Sequence, residues 1–210
     1  MIHLDQINKT IGGQKVLSDI SASFHPGTIV GFQGINGSGK TMLLRLIAGL
    51  IKPTEGSVFI DGKQLWKDIP MPKSMGILIE NPSFLDSYTG IQNLSFLASL
   101  QGNHRKSDLK NVLEKVGLDP NDKRKYRKYS LGMKQRLGIA AAIMNEPDVI
   151  LLDEPTNALD ENGITMLRDV IKDQKRRSAT VLVASHDRQF LEELSDSIYL
   201  FDKGKVRQIA

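Results

Sequence analysis

The stretch Gly34-Ile35-Asn36-Gly37-Ser38-Gly39-Lys40-Thr41 restricts this chain more than any other, because it fits G-x-x-x-x-G-K-[ST] directly after the β-branched run Thr28 to Phe32. That order predicts a buried strand, a tight loop and the start of a helix. The glycines let successive backbone N–H groups turn inward around phosphate oxygens, and the helix opening at Gly39 adds its positive end. Lys40 is placed to reach β- and γ-phosphates, and the Thr41 hydroxyl to ligate Mg²⁺. Residues Gly34 to Met42 are therefore the candidate nucleotide contacts. Met42, Leu43, Leu44, Leu46, Ile47 and Leu50 make the following helix apolar on most sides, as a helix packed inside an α/β core should be, and it reads as running to Ile51.

At 210 residues the chain is long enough for one large α/β domain with its own core. It has no cysteine, which excludes a disulfide framework, thiol catalysis and a Cys-based metal site, and suits a cytosolic protein. The excess of 28 basic over 24 acidic residues suits an anionic ligand or membrane surface but is too diffuse to argue for nucleic acid. No signal peptide opens the chain, and no apolar run approaches the length of a bilayer span. The expectation is a soluble protein whose partner supplies any membrane span.

Residues 2 to 11 and 16 to 24 alternate on either side of Gly12-Gly13 and read as an antiparallel hairpin. Ser57 to Ile60 reads as a short strand, Lys63 to Lys73 as a loop with a helical turn, and Gly76 to Glu80 as an apolar strand ending on a charge. From Asn81 to about Glu146 the pattern is helical with interruptions. Leu109, Val112, Leu113 and Val116 share one helix face before Gly117, and a second helix should start near Ser130 and run to Met144. Val149 to Leu152 and Thr180 to Ala184 read as buried strands, Asp160 to Asp173 as an amphipathic helix, and Asp187 as the cap of a short helix. A final hairpin pairs Ser197 to Phe201 with Val206 to Ile209.

The strand Val149 to Leu152 ends in Asp153-Glu154, an arrangement with an evident use beside a phosphate loop. Asp153 can hold Mg²⁺ through its water shell, and Glu154 can orient or deprotonate the water that attacks a γ-phosphate. Alone, the pair reads better as solvated acids at a strand end; together with Lys40 and Thr41 it becomes a strong site candidate.

With these motifs in hand, the whole chain resembles the ATP-binding subunit of an ATP-binding-cassette (ABC) transporter. Tyr129-Ser130-Leu131-Gly132-Met133-Lys134-Gln135-Arg136 is similar to that family's signature, Asn157 to Asp160 to its D-loop, and Ser185-His186-Asp187 to its switch histidine. The resemblance implies one ABC domain over residues 1–210, an α/β P-loop core with an N-terminal antiparallel β subdomain and a helical subdomain of about 82–146 inserted in it. It also implies ATP and Mg²⁺ as ligands and ATP hydrolysis with Glu154, His186 and Glu80 as catalytic candidates. Ser130 and Gly132 would bind the ATP held by a second cassette, in a homodimer formed in the ATP state. The implied partner is an integral membrane permease, with the chain peripheral to the cytoplasmic face of the membrane and no direct contact with nucleic acid. Plainer roles stand beside these: Ser130 as a helix N-cap, His186 as a solvated residue near a helix cap, and the basic run Lys123 to Lys128 as a solvated face.

Three positions depart from the family pattern. Met133 stands at the second signature glycine, and Ile11 stands where an aromatic stacks on adenine, offering apolar contact without a π face. Glu80 replaces the Q-loop glutamine, a variant similar to exporters associated with resistance to bacitracin and lantibiotics. Its plainer reading is a solvated strand end. A non-transport ABC ATPase acting on nucleic acid or ribosomes is the alternative function, and a small-molecule kinase a third; the kinase would leave the signature and His186 without a use.

Overall fold

The alternating N-terminal residues do form a hairpin. In the computed structural model, which describes residues 1–101 and 106–210, β1 (Ile2–Ile11) pairs antiparallel with β2 (Gln14–Phe24), and Ile11 lies opposite Gln14. Gly12 and Gly13 are left as a two-residue turn, both at positive φ (55° and 80°), a turn whose twist matches that of the strands. β4 (Glu55–Ile60) adds to the free edge of β1, and β5 (Lys63–Gln64) to β4, giving an antiparallel sheet in the order β2-β1-β4-β5. The expected loop at 63–73 thus begins as a strand: Gln64 pairs with Phe59, and the next residue, Leu65, is buried beneath it.

A second sheet carries the core. β3 (Ile29–Gln33), β6 (Met75–Leu78), β7 (Val149–Asp153), β8 (Thr180–Ser185) and β9 (Ser197–Asp202) run parallel, with β10 (Lys205–Gln208) antiparallel at one edge, in the order β10-β9-β3-β8-β7-β6. Buried on both faces, β7 and β8 are continuous apolar runs whose alternate residues serve different layers. Leu151, Leu182 and Ala184 face the antiparallel sheet and α1 (Lys40–Ile47), whereas Ile150, Leu152, Val181 and Val183 face a helical layer. That layer comprises α2 (Gly90–Gln101), α3 (Lys106–Lys115), α4 (Leu131–Ile143), α5 (Glu161–Arg176) and α6 (Arg188–Leu194).

Residues 82–146 fall between β6 and β7, which are nonetheless adjacent strands, and α4 returns over β6. The approach is close enough that a Cβ on Gly76 would lie 1.7 Å from the Ala142 carbonyl oxygen. Leu94, Leu113, Leu137 and Ile139 share one apolar cluster with Ile150 and Val183, so the helical stretch has no core of its own. Two expected boundaries move. α1 stops at Ile47 rather than Ile51 because the chain turns at Gly49 (φ 76°), and β6 stops at Leu78 because Glu80 is left-handed (φ 61°). α5 is longer than its apolar period indicated, reaching Arg176, with the Asp160 carboxylate capping it by accepting from the Gly163 N–H at 2.8 Å.

Candidate nucleotide and metal site

Because β3, β8, β7 and β6 are parallel neighbours, the residues that leave their C-terminal ends meet along one edge, where ligands of open α/β sheets bind. From β3 the chain enters the loop 34–41. Gly39, the N-cap of α1, sits at φ 111°, and a Cβ there would come within 2.9 Å of Leu17, so only glycine closes this turn. The far hairpin braces the loop as well, since the Gly204 N–H donates to the Ser38 carbonyl at 3.1 Å.

Lys40 is 5% exposed and folds back over the loop, its Nζ donating to the carbonyls of Gly34 (2.6 Å) and Ile35 (3.2 Å). Its charge also faces Glu154 Oε1 at 3.5 Å, an ion pair without hydrogen-bond geometry. Thr41 Oγ1 donates to Asp153 Oδ2 at 2.7 Å, so the loop and the end of β7 are joined at two points. Asp153 is 6% exposed. Burial pushes its carboxyl above the ordinary carboxylate value; the Glu154 charge adds to the rise, and the Thr41 hydroxyl, Lys40 and the Glu80 backbone oppose it.

Asp153 Oδ1 is buried with no hydrogen-bond partner, as is Ser38 Oγ in the loop. An orphaned carboxylate oxygen beside a threonine hydroxyl is a hard-oxygen donor set that suits Mg²⁺, which takes one or two protein oxygens and completes its shell with phosphates and water. Among the described residues no cluster of three His, Asp or Glu residues forms a metal cage, so such an ion would depend on the nucleotide for its remaining ligands.

Glu154 turns sharply out of β7 at φ 46°, its N–H donating to the Ala184 carbonyl of β8 at 2.8 Å. This aims the carboxylate across the strand ends at His186, whose Nδ1 lies 2.8 Å from Glu154 Oε2. The imidazole is otherwise open, at 59% exposure. On the other side of the loop 154–155, the Gln135 amide of α4 donates to the Pro155 carbonyl at 3.1 Å, a support that the sequence signals only as the glutamine after the signature.

Ser130 and Gly132 are not brought to the loop 34–41. The Ser130 hydroxyl caps α4 by accepting from the Met133 N–H at 3.2 Å, and Gly132 faces a different neighbour, since a Cβ on it would lie 2.9 Å from the Ala158 carbonyl. The bulk of Met133 raises no obstacle at this helix start, because its side chain packs inward against the helical-layer core. Met42 packs into the opposite core, and Ile11, 47% exposed, sits at the hairpin tip. Within the basic run, Tyr126 is buried and its hydroxyl donates to the Pro82 carbonyl at 2.6 Å, while Lys123, Arg124, Arg127 and Lys128 are exposed.

Glu80, a catalytic candidate from the sequence, turns its charge away from Asp153 toward Arg45. Its backbone lies against Asp153, but its carboxylate is 61% exposed and paired with Arg45 of α1. Nothing in the sequence singles out Arg45; the one available signal is that an acid at position 80 calls for a counter-charge. Both residues line a 420 Å³ groove, with Leu50, Ile77, Phe84 and Leu97, between the strand-end segment 79–84 and α4.

Comparison with known proteins gives the family and the fold. A family model described as ABC transporter matches residues 17–157. An ABC transporter ATP-binding protein of Bacillus subtilis, YybJ, is 45% identical over 98% of this chain and 94% of its own length. The bacitracin transport ATP-binding protein BcrA of Bacillus licheniformis is 38% identical over 98% of this chain and 68% of its own length. Among solved structures, the dimeric bacterial ABC transporter cassette MJ0796 superposes with a TM-score of 0.90 at 27% identity, covering all of this chain and 98% of that one. The same cassette in a post-hydrolysis state with ADP and Pi gives 0.87 at 25% identity, with the same coverage.

Proposed function

The chain belongs to the ABC transporter family as an ATP-binding cassette and ATPase, and on that premise we propose that two copies hydrolyse ATP between them to drive a separate permease that exports a peptide antibiotic. The observation that carries the proposal is the double link between the phosphate loop and β7: Thr41 to Asp153 at 2.7 Å and Lys40 to Glu154 at 3.5 Å. Such links suit a site in which phosphate and Mg²⁺ would take over the lysine and the hydroxyl when nucleotide binds.

In this reading the backbone N–H groups of residues 36–41 take the phosphate tail, and Lys40 exchanges its carbonyl acceptors for β- and γ-phosphate oxygens. Thr41 and Asp153 are the residues that would hold Mg²⁺, which when bound neutralises charge on the phosphates. Glu154 accepts the proton of the attacking water, and His186 holds the second carboxylate oxygen so that the first faces the reaction. Ser130 and Gly132, pointing away from their own loop, close over the nucleotide of the second copy. Residues 82–146 form the helical insertion, and the groove beside Glu80 receives a cytoplasmic segment of the permease. Among the described residues no helix is long and apolar enough to cross a membrane, in keeping with action from the cytoplasmic face. The likeness to BcrA and the acid at position 80 support a peptide antibiotic as cargo.

The test begins with the neighbouring reading frames, where a multi-span hydrophobic protein is expected, and continues with co-expression of that protein with this chain. ATP turnover that co-purifies with that protein, and resistance lost on Glu154→Gln, are expected. Turnover stimulated only by ribosomes or DNA would refute the proposal.

A further inference from the structure

Thr41 and Arg45 are four residues apart on α1 and so share one face of that helix, a face turned toward the ends of two adjacent strands. Thr41 reaches the end of β7 through Asp153, and Arg45 reaches the segment after β6 through Glu80. The left-handed backbone of Glu80 holds its main chain against Asp153, so the rotamer of its side chain alone decides where the charge lies. A change of rotamer moves a glutamate carboxylate by a few ångströms, and the Glu80 main chain from which it swings lies beside Asp153. In this structure it lies on the groove side, paired with Arg45.

We propose that Arg45 is a positioning residue for the metal site: by holding the Glu80 carboxylate on the groove side it keeps a third negative charge away from Asp153 and Glu154, and thereby sets the affinity for the divalent cation. The proposal rests on the ATP–Mg²⁺ reading above. With the pair broken, the carboxylate joins two existing acids, and three anionic groups attract a divalent ion more strongly than two. The pair is only partly buried, so it is weak enough to be reversible, and it lies on the wall of the groove where an occupant can compete for it.

The experiment is a double-mutant cycle read by Mn²⁺ binding, followed by electron paramagnetic resonance with the slowly hydrolysed analogue AMP-PNP. Arg45→Met tightens Mn²⁺ about fivefold or more, Glu80→Gln alone changes it less than about twofold, and the double variant returns to the native value. Arg45→Lys, which keeps the charge, retains the native affinity. An unchanged affinity in Arg45→Met, or a change that persists in the double variant, would overturn the proposal while leaving the site reading intact. Failure of the native protein to bind Mn²⁺ with AMP-PNP would overturn both.

Discussion

Glu154→Gln separates the two jobs that the proposed function gives this residue. The amide keeps the side-chain shape and keeps an oxygen for His186 Nδ1, now 2.8 Å from Oε2, but it cannot take a proton from water. Loss of a general base costs about 10²- to 10⁴-fold in turnover, a barrier increase of roughly 3–5 kcal/mol. Binding should move the other way. In the native protein the Glu154 charge lies 3.5 Å from Lys40 and competes with phosphate for it. At an effective dielectric of about 20, a unit charge about 8 Å from a phosphate oxygen repels it by roughly 2 kcal/mol. Solvent screening removes part of that, so the amide tightens ATP by about threefold to tenfold. The assay pairs phosphate release under saturating ATP with fluorescence titration of a labelled ATP. Turnover within about threefold of native would show that Glu154 is not the catalytic carboxylate, and weakened ATP binding would show that it is a scaffold for the loop.

Asp153→Asn tests the buried charge. A folded-state value raised above the unfolded one gives stability that is present below the unfolded pKa and lost as pH rises through the folded pKa. The amide, which still accepts from Thr41, therefore raises the nucleotide-free thermal midpoint at about pH 7.5 and less so near pH 4; an equal or lower midpoint at the higher pH would count against it. Gly76→Ala forces a Cβ against the backbone of α4 and should cost about 3 kcal/mol or more, a fall of roughly 6–12 °C in thermal midpoint. Tyr126→Phe leaves the Pro82 carbonyl without its donor, costs about 1 kcal/mol, and should speed amide exchange in residues 83–88; unchanged exchange would mean that the hydroxyl does not hold this segment.

The phosphate loop was legible because it is a contiguous string whose local order of strand, turn and helix carries its meaning, and Asp153-Glu154 could be read as a site candidate only with that loop beside it. The caps at Ser130 and Asp187 were legible from their place before an apolar helical pattern, whereas Asp160 was read as the first residue of its helix rather than as its cap. What was hidden depends on contacts far apart along the chain. The bracing of Ser38 by Gly204, the inward turn of Met133 and the pairing of Arg45 with Glu80 leave no period in the sequence. The strand at Lys63–Gln64 was missed because two polar residues form it only when the edge of β4 is there to receive them. The end of β6 moved because Glu80 adopts a backbone conformation that costs a non-glycine residue about 1–2 kcal/mol and that no pattern of apolar residues reports.

In the proposed function Lys40, Asp153 and Glu154 make one half of an ATP-hydrolysing site completed by a second copy. Phosphate release by the purified chain, measured across a range of protein concentrations under saturating ATP and Mg²⁺, tests it most directly. The rate should rise with the square of concentration at the dilute end and vanish in Lys40→Ala. A rate strictly proportional to concentration throughout, or native turnover in Lys40→Ala, would contradict it.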